Sequence, residues 1–252
     1  MKIHVLYQGI PAKFIQGYLS WPSCVYVESG GIKILFDTGF VTQRKELPEK
    51  LQNMANVSPE DIDILVLSHL HYDHAYNFDL FPRARILAHN NEIHYATHVD
   101  KEEFAYQRFL TDAIIATGRL VGVEEGHVVA PGITTLFVPG HTPGCMALLL
   151  AQKDRPATVL AGDAVKNIAE LATGRMPMVT QAEDAAASIR KIRSCAQVVI
   201  PGHDRTLNVF PDRIEAVAAS ELTLKYAPGC VPTGHADEIE LGIPAGCLHI
   251  VP

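Results

Sequence analysis

The segment Leu65-Val66-Leu67-Ser68-His69-Leu70-His71-Tyr72-Asp73-His74 constrains this chain more than any other stretch. Residues 64–67 are wholly apolar, the pattern of a short buried strand, and three histidines and an aspartate follow within six residues. Imidazole and carboxylate together suit zinc and similar borderline cations. His69 and His71 stand two positions apart, so an extended backbone points both side chains the same way. Asp73 and His74 come a turn later, and a turn there aims them at a second, adjacent position. One short loop can therefore begin two metal sites.

Two sites need more ligands, and the chain offers them in a repeated setting. His141 lies in Val138-Pro-Gly-His-Thr-Pro-Gly, Asp163 in Leu160-Ala-Gly-Asp-Ala, and His203 in Ile200-Pro-Gly-His-Asp. Each follows an apolar run and a glycine, the residue that lets backbone approach closely.

The rest of the chain alternates strand-like and helix-like segments. Residues 23–29 and 32–36 read as a hairpin joined at Gly30-Gly31, ending on the turn Asp37-Thr-Gly. Ser58-Pro-Glu-Asp is a helix-start signal. Residues 85–88, 133–138, 146–151, 158–161 and 198–200 are further strand candidates, and 43–56 is helix-compatible. The clearest helix is 181–195, with acids early and bases late as the helix dipole favours. Residues 92–117 read as an inserted helical segment, either a lid or a packed layer. The region from 208 onward is read as a C-terminal extension, with a helix allowed over 211–219.

With 252 residues, 48% of them hydrophobic, the chain suffices for one core, and one domain over 1–252 is the simplest organisation. A formal charge of −7 argues against nucleic acid as a partner. Five cysteines (24, 145, 195, 230 and 247) with no C-x-x-C pair read as free thiols of a reducing compartment. The N-terminal stretch is too soon broken for a signal sequence, and no apolar run reaches membrane-spanning length. A soluble cytoplasmic protein with no membrane partner is expected.

The combination His69-x-His71-x-Asp73-His74, Gly140-His141, Gly162-Asp163 and Gly202-His203, together with Asp37-Thr-Gly, resembles the metallo-β-lactamase superfamily over about residues 1–206. The resemblance implies an α/β fold, an αββα sandwich of two mixed sheets with the metals at one edge. It implies two divalent ions, zinc first, with manganese, iron or cobalt as alternatives. His69, His71 and His141 would hold one ion; Asp73, His74 and His203 the other; Asp163 would bridge them. Hydroxide between two cations would then open a lactone or cleave a related carboxylic ester, with Asp73 moving a proton. Dimers are common among such proteins.

Within that superfamily, Ser-His-Leu-His-Tyr-Asp-His followed by Asp79-Leu-Phe-Pro-Arg-Ala-Arg is most similar to the N-acyl homoserine lactonase-like branch. Two departures bear on substrate. Lys166 stands where such lactonases place a substrate-contacting Tyr, and Tyr76-Asn77 replaces a common Gly-Gly. An ammonium at position 166 could bind a substrate carboxylate, steady an oxyanion, or be a loop lysine. Thioester or β-lactam amide hydrolysis at the same metals, and a mononuclear iron persulfide dioxygenase, are the alternative activities. Asp37 is expected to order a ligand histidine. Asp204 and Cys145 read as structural, as do His89, His94 and His98; His4, His127, His235 and His249 lack ligand-like spacing. Tyr72, Tyr76, Phe104, Tyr106 and Phe109 are candidates for an apolar pocket, with core packing the simpler role for most.

Overall fold

Cys24–Ser29 and Ile32–Phe36 pair antiparallel in the register Val25↔Phe36 to Ser29↔Ile32, as the hairpin pattern requires. The computed structural model describes residues 1–15, 17–18, 21–99, 103–227, 230 and 238–250. Lys2–Tyr7 flanks this hairpin antiparallel, while Ile64–Val66, Arg85–His89 and Leu120–Val123 continue the sheet in parallel on its other side. Parallel neighbours need crossovers. The helices Asn90–His98 and Arg108–Ala116, within the segment read as inserted, lie in the crossover from Arg85–His89 to Leu120–Val123.

A second sheet runs in the order Cys247–His249, Arg213–Ala216, Leu207–Val209, Val198–Pro201, Thr158–Gly162, Met146–Leu150, Ile133–Phe137 and Val128–Ala130. Its one parallel pair is Thr158–Gly162 with Val198–Pro201, and the helix Ala182–Cys195 lies in the connection between them.

Side-chain alternation then builds four layers. Val25, Val27, Ile34 and Phe36 face Met146, Leu148, Leu150 and Leu160 in a core between the sheets. The intervening residues Tyr26 and Leu35 turn outward, onto Leu47 and Leu51 of the helix Glu46–Ala55 and onto Leu110 and Ile114. On the other side Ala147, Val159, Ala161 and Val199 pack on Ala185, Ile189 and Ile192. The result is an αββα sandwich. Ile64–Val66 is buried on both faces, which is why its sequence is apolar without alternation.

The helix allowed over 211–219 is not formed. Arg213–Ala216 is a strand, paired with Leu207–Val209 through a turn closed by Phe210 N–H to Arg213 C=O at 2.9 Å. Its burial alternates with period two, Ile214 and Ala216 inward, and Cys247–His249 adds to its free side. The pairs Ser220–Lys225 and Glu238–Ile243 form a separate hairpin. His235 lies outside the described residues. All five cysteines are free thiols, and among the described residues no helix is long and apolar enough to cross a membrane.

The outer layer of the second sheet is sensitive to truncation. Ile189 is wholly buried there, and Ile189→Ala is expected to cost about 2–5 kcal/mol in urea unfolding; a loss below about 1 kcal/mol would contradict this packing.

Candidate metal centre

Backbone pairing of the first sheet ends with Leu67 N–H on Leu87 C=O at 2.9 Å, and Ser68 C=O crosses to the second sheet by accepting Met146 N–H at 2.8 Å. The chain therefore leaves the sandwich at its edge with His69 next in line. His71 is still extended (φ −64°, ψ 148°) and caps the single-turn helix Tyr72–Ala75, which turns Asp73 and His74 back toward the same point. The other ligand loops leave the same edge. Gly202 sits so close to Asp163 that a Cβ would collide with its carboxylate, and Gly162 adopts φ +51° against Ser68.

Asp37 orders two of the histidines. At the end of Ile32–Phe36 its backbone turns left-handed, φ 56°, a conformation Asp tolerates. Its Oδ1 accepts Ser68 N–H at 2.7 Å, and its Oδ2 accepts both the Ser68 hydroxyl at 2.8 Å and His74 Nδ1–H at 2.8 Å. With its proton given to Asp37, the Ser68 oxygen accepts His69 Nδ1–H at 2.9 Å. Both rings are thereby held with Nδ1 engaged and Nε2 turned toward the centre. His141 is fixed in the same way, its Nδ1–H on Met178 C=O at 2.9 Å.

All seven expected ligands converge. Ligand atoms of His69, His71 and His141 lie within 4.8 Å of one another, as do those of Asp73, His74 and His203, and those of His69, His74 and Asp163. Asp163 faces both sets: its Oδ2 is 3.2 Å from His141 Nε2, and its Oδ1 is 3.2 Å from His74 Nε2 and 3.3 Å from His203 Nε2. His69 Nε2, His74 Nε2 and Asp163 Oδ1 are buried without a hydrogen-bond partner. Such groups are costly unless something else satisfies them, and a nitrogen-oxygen donor set of this kind fits divalent cations.

The two sets differ in charge without metal. Burial and their fellow histidines hold His69 and His71 well below the usual imidazole value; burial chiefly holds His141 at about 4. In the second set burial opposes charging, but Asp163 and Asp73 outweigh it, raising His74 well above its ordinary value and His203 to about 9. Burial would also raise Asp73, yet His74 and His203 bring it down to about 2. The first set is ready to ligate; the second must shed protons first.

A cavity of about 480 Å³ opens over this centre. Lys166 lines it, as do Tyr72, Phe104 and Tyr106. Tyr76 packs on the outer core and Phe109 is exposed, so neither belongs to the pocket. Asn77 is wholly buried and latches the 38–40 turn, its amide donating to Thr38 C=O at 3.0 Å and Phe40 C=O at 2.9 Å. His89 caps the helix Asn90–His98, Asp204 is tied to Ile168 N–H and to Arg205, and Cys145 packs in the second outer core.

Sequence reasoning missed Glu92. It is wholly buried, and its carboxylate accepts Leu70 N–H at 2.8 Å, the Tyr106 hydroxyl at 2.6 Å and the Thr142 hydroxyl at 2.6 Å. It thus joins the His69–His71 loop, the His141 loop and the cavity wall. In sequence it is a first-turn helix acid like many surface ones, and nothing local marks it.

The family described as the Metallo-beta-lactamase superfamily matches residues 22–203. Among curated proteins, the chain is 35% identical over 128 residues to the N-acyl homoserine lactonase AiiB of Rhizobium rhizogenes, covering 47% of this chain and 45% of that protein. It is 26% identical over 211 residues to Metallo-beta-lactamase domain-containing protein 1 of Xenopus laevis, covering 82% of each. The chain thus spans about half the length of AiiB. Among solved structures, a variant of B. thuringiensis AiiA with N-decanoyl-L-homoserine at its active site matches with a TM-score of 0.62 at 23% identity, over 74% of this chain and 82% of that one. AidC, a dizinc quorum-quenching lactonase, matches with a TM-score of 0.62 at 19% identity, over 77% and 78%.

Two measurements test this centre. Asp37→Ala is expected to weaken metal binding about 10–100-fold by competition with a chromogenic chelator; unchanged affinity would remove Asp37 from its ordering role. In metal-free protein the raised His203 binds a proton more tightly folded than unfolded, so its contribution to stability is full below about 6.5 and is lost as pH rises through about 9. The Tm of metal-free protein should fall across that window; a flat or rising Tm would contradict the charged pairing of His203 with Asp163 and Asp73.

Proposed function

The chain belongs to the metallo-β-lactamase superfamily, and on that basis we propose that it is a metal-dependent hydrolase that opens a lactone or cleaves a related carboxylic ester. The two histidine sets would hold two divalent ions, zinc by preference: His69, His71 and His141 would hold one, Asp73, His74 and His203 the other, with Asp163 shared between them. The observation that carries this reading is the split of the Asp163 carboxylate, Oδ2 toward His141 and Oδ1 toward His74 and His203. The relatives named as N-acyl homoserine lactonases support the choice of an acyl-oxygen bond.

When bound, two such cations supply Lewis acidity, making water nucleophilic at neutral pH and polarising a carbonyl. The protein does the rest. Asp73, its side chain 23% exposed at the cavity while His74 and His203 are nearly buried, is the ligand placed to accept a proton from water and return it to the leaving oxygen. Phe40, Tyr72, Phe104 and Tyr106 shield the reacting face from bulk water. Lys166 also lines the cavity, where its ammonium can meet the substrate.

Zinc-reconstituted protein should carry two zinc ions per chain by elemental analysis and hydrolyse members of a lactone and ester panel. His71→Ala and Asp163→Ala should lose metal and at least about 10³-fold in kcat/KM. Cleavage confined to thioesters or cephalosporins would move the bond type, and one iron per chain with consumption of persulfide would replace hydrolysis altogether.

A further inference from the structure

We propose that the C-terminal segment is a clasp on the second histidine set, and that Arg205 is the positioning residue through which the Ile243 and Pro244 carbonyls hold His203 in place. The term second set rests on the two-metal reading above; the clasp itself rests on the contacts of residues 202–206.

His203 stands in the short connection between Val198–Pro201 and Leu207–Val209, beyond the end of one strand and before the start of the next. Its support therefore comes from outside the ladder. On one side Gly202 N–H donates to Gly162 C=O and Val165 C=O, each at 2.9 Å, and His203 N–H donates to Lys166 C=O at 2.8 Å. On another, Gly9 packs so closely that a Cβ there would lie 2.4 Å from the Gly202 carbonyl oxygen and 2.6 Å from His203 Cα. The third support is Arg205.

Arg205 is 4% exposed. A guanidinium keeps its charge when buried, so it must be met by acceptors. Its Nε donates to Asp204 Oδ1 at 3.0 Å, and its Nη1 donates to Ile243 C=O at 2.9 Å and to Pro244 C=O at 2.6 Å. Asp204 completes the linkage. Its Oδ1 also accepts Arg205 N–H at 2.7 Å, and its Oδ2 accepts Ile168 N–H at 2.9 Å. A continuous run of bonds from Ile168 to Pro244 thus passes through the two residues that follow His203.

The two carbonyls are presented by a strap tied at both ends. Ile243 closes the hairpin strand opposite Ser220. Beyond Pro244, Gly246 C=O accepts Ala216 N–H at 2.9 Å, and Cys247–His249 pairs with Arg213–Ala216. The other histidine set is held by different means: Ser68 for His69, Glu92 for Leu70 and Thr142, and the Met178 carbonyl for His141. Loosening the clasp should therefore reach His203 and leave His69, His71 and His141 in place.

Arg205→Met keeps the length of the stem and removes the guanidinium; Arg205→Lys keeps the charge and loses the planar fork. Metal-free protein is titrated with zinc against a chromogenic chelator, and His203→Ala marks which binding step belongs to the second set. In Arg205→Met that step should weaken about 10–100-fold, the range for groups that orient ligands, while the other step stays as in wild type. Arg205→Lys should fall between. Two unchanged steps would overturn the clasp, and so would equal weakening of both, the mark of a generally loosened fold. Hydrogen exchange on metal-free protein reads the clasp with no ion present. Arg205→Met should speed exchange over 202–207 and 243–250 together and leave 66–71 as protected as in wild type; unchanged protection over 202–207 would overturn it. If Arg205→Met does not fold, Arg205→Lys carries both measurements. If wild type binds a single zinc ion, the two-metal reading fails, and the exchange pattern still decides the clasp.

Discussion

The carboxylate of Asp37 is the joint on which the centre depends. It is almost wholly buried, and burial alone drives its pKa upward; His74 and Ser68 pull the other way. A carboxylate in that position is tolerable only because three donors meet it, the Ser68 amide, the Ser68 hydroxyl and His74 Nδ1–H. The same bonds tie the end of Ile32–Phe36 to the loop after Ile64–Val66, and they choose the tautomer of His74 directly and of His69 through Ser68. One side chain thus converts strand order into ligand orientation.

Because the ligand loops leave one edge of a two-sheet sandwich, the centre is a meeting of two halves. His69 to His74 come from the first sheet; His141, Asp163 and His203 come from the second. Glu92, on the first half, bonds across that divide to Thr142 while holding Leu70 N–H on its own side. Ser23, bonded to Pro201 C=O at 2.7 Å, does so on the His203 side. Loosening either half disturbs both histidine sets, since each draws residues from both sheets.

The convergence of His69, His71, Asp73 and His74 was legible in the sequence because it is set by short-range pattern: a buried strand, then histidines at spacing two, then a turn. The four layers were expected from the family resemblance those motifs carry, and the strands 24–29 and 32–36 meet it by burying both faces. What escaped is long-range. Glu92 gains its meaning from Thr142, fifty positions on, and the anchor of His141 is a backbone carbonyl at Met178, which no residue type advertises. The stretch 211–219 admits a helix locally, and only the neighbouring strands Leu207–Val209 and Cys247–His249 decide that Arg213–Ala216 is extended.

The same distinction separates how the protein acts from what it acts on. Water activation needs a fixed constellation, and a fixed constellation leaves a compact signature in a chain. Substrate choice is made by the wall of the cavity, where Ala12, Phe40, Tyr106, Lys166 and Val179 arrive from separate connections. Lys166 stands out in sequence as a charge near the candidate ligands, but its place is set by Glu170 and by the Met178 carbonyl. A cation on a free loop would average over many positions; one held at backbone and head group keeps its charge at one place in the wall. Where that charge stands follows from the hydrogen bonds of the 166–170 segment more than from the presence of a lysine.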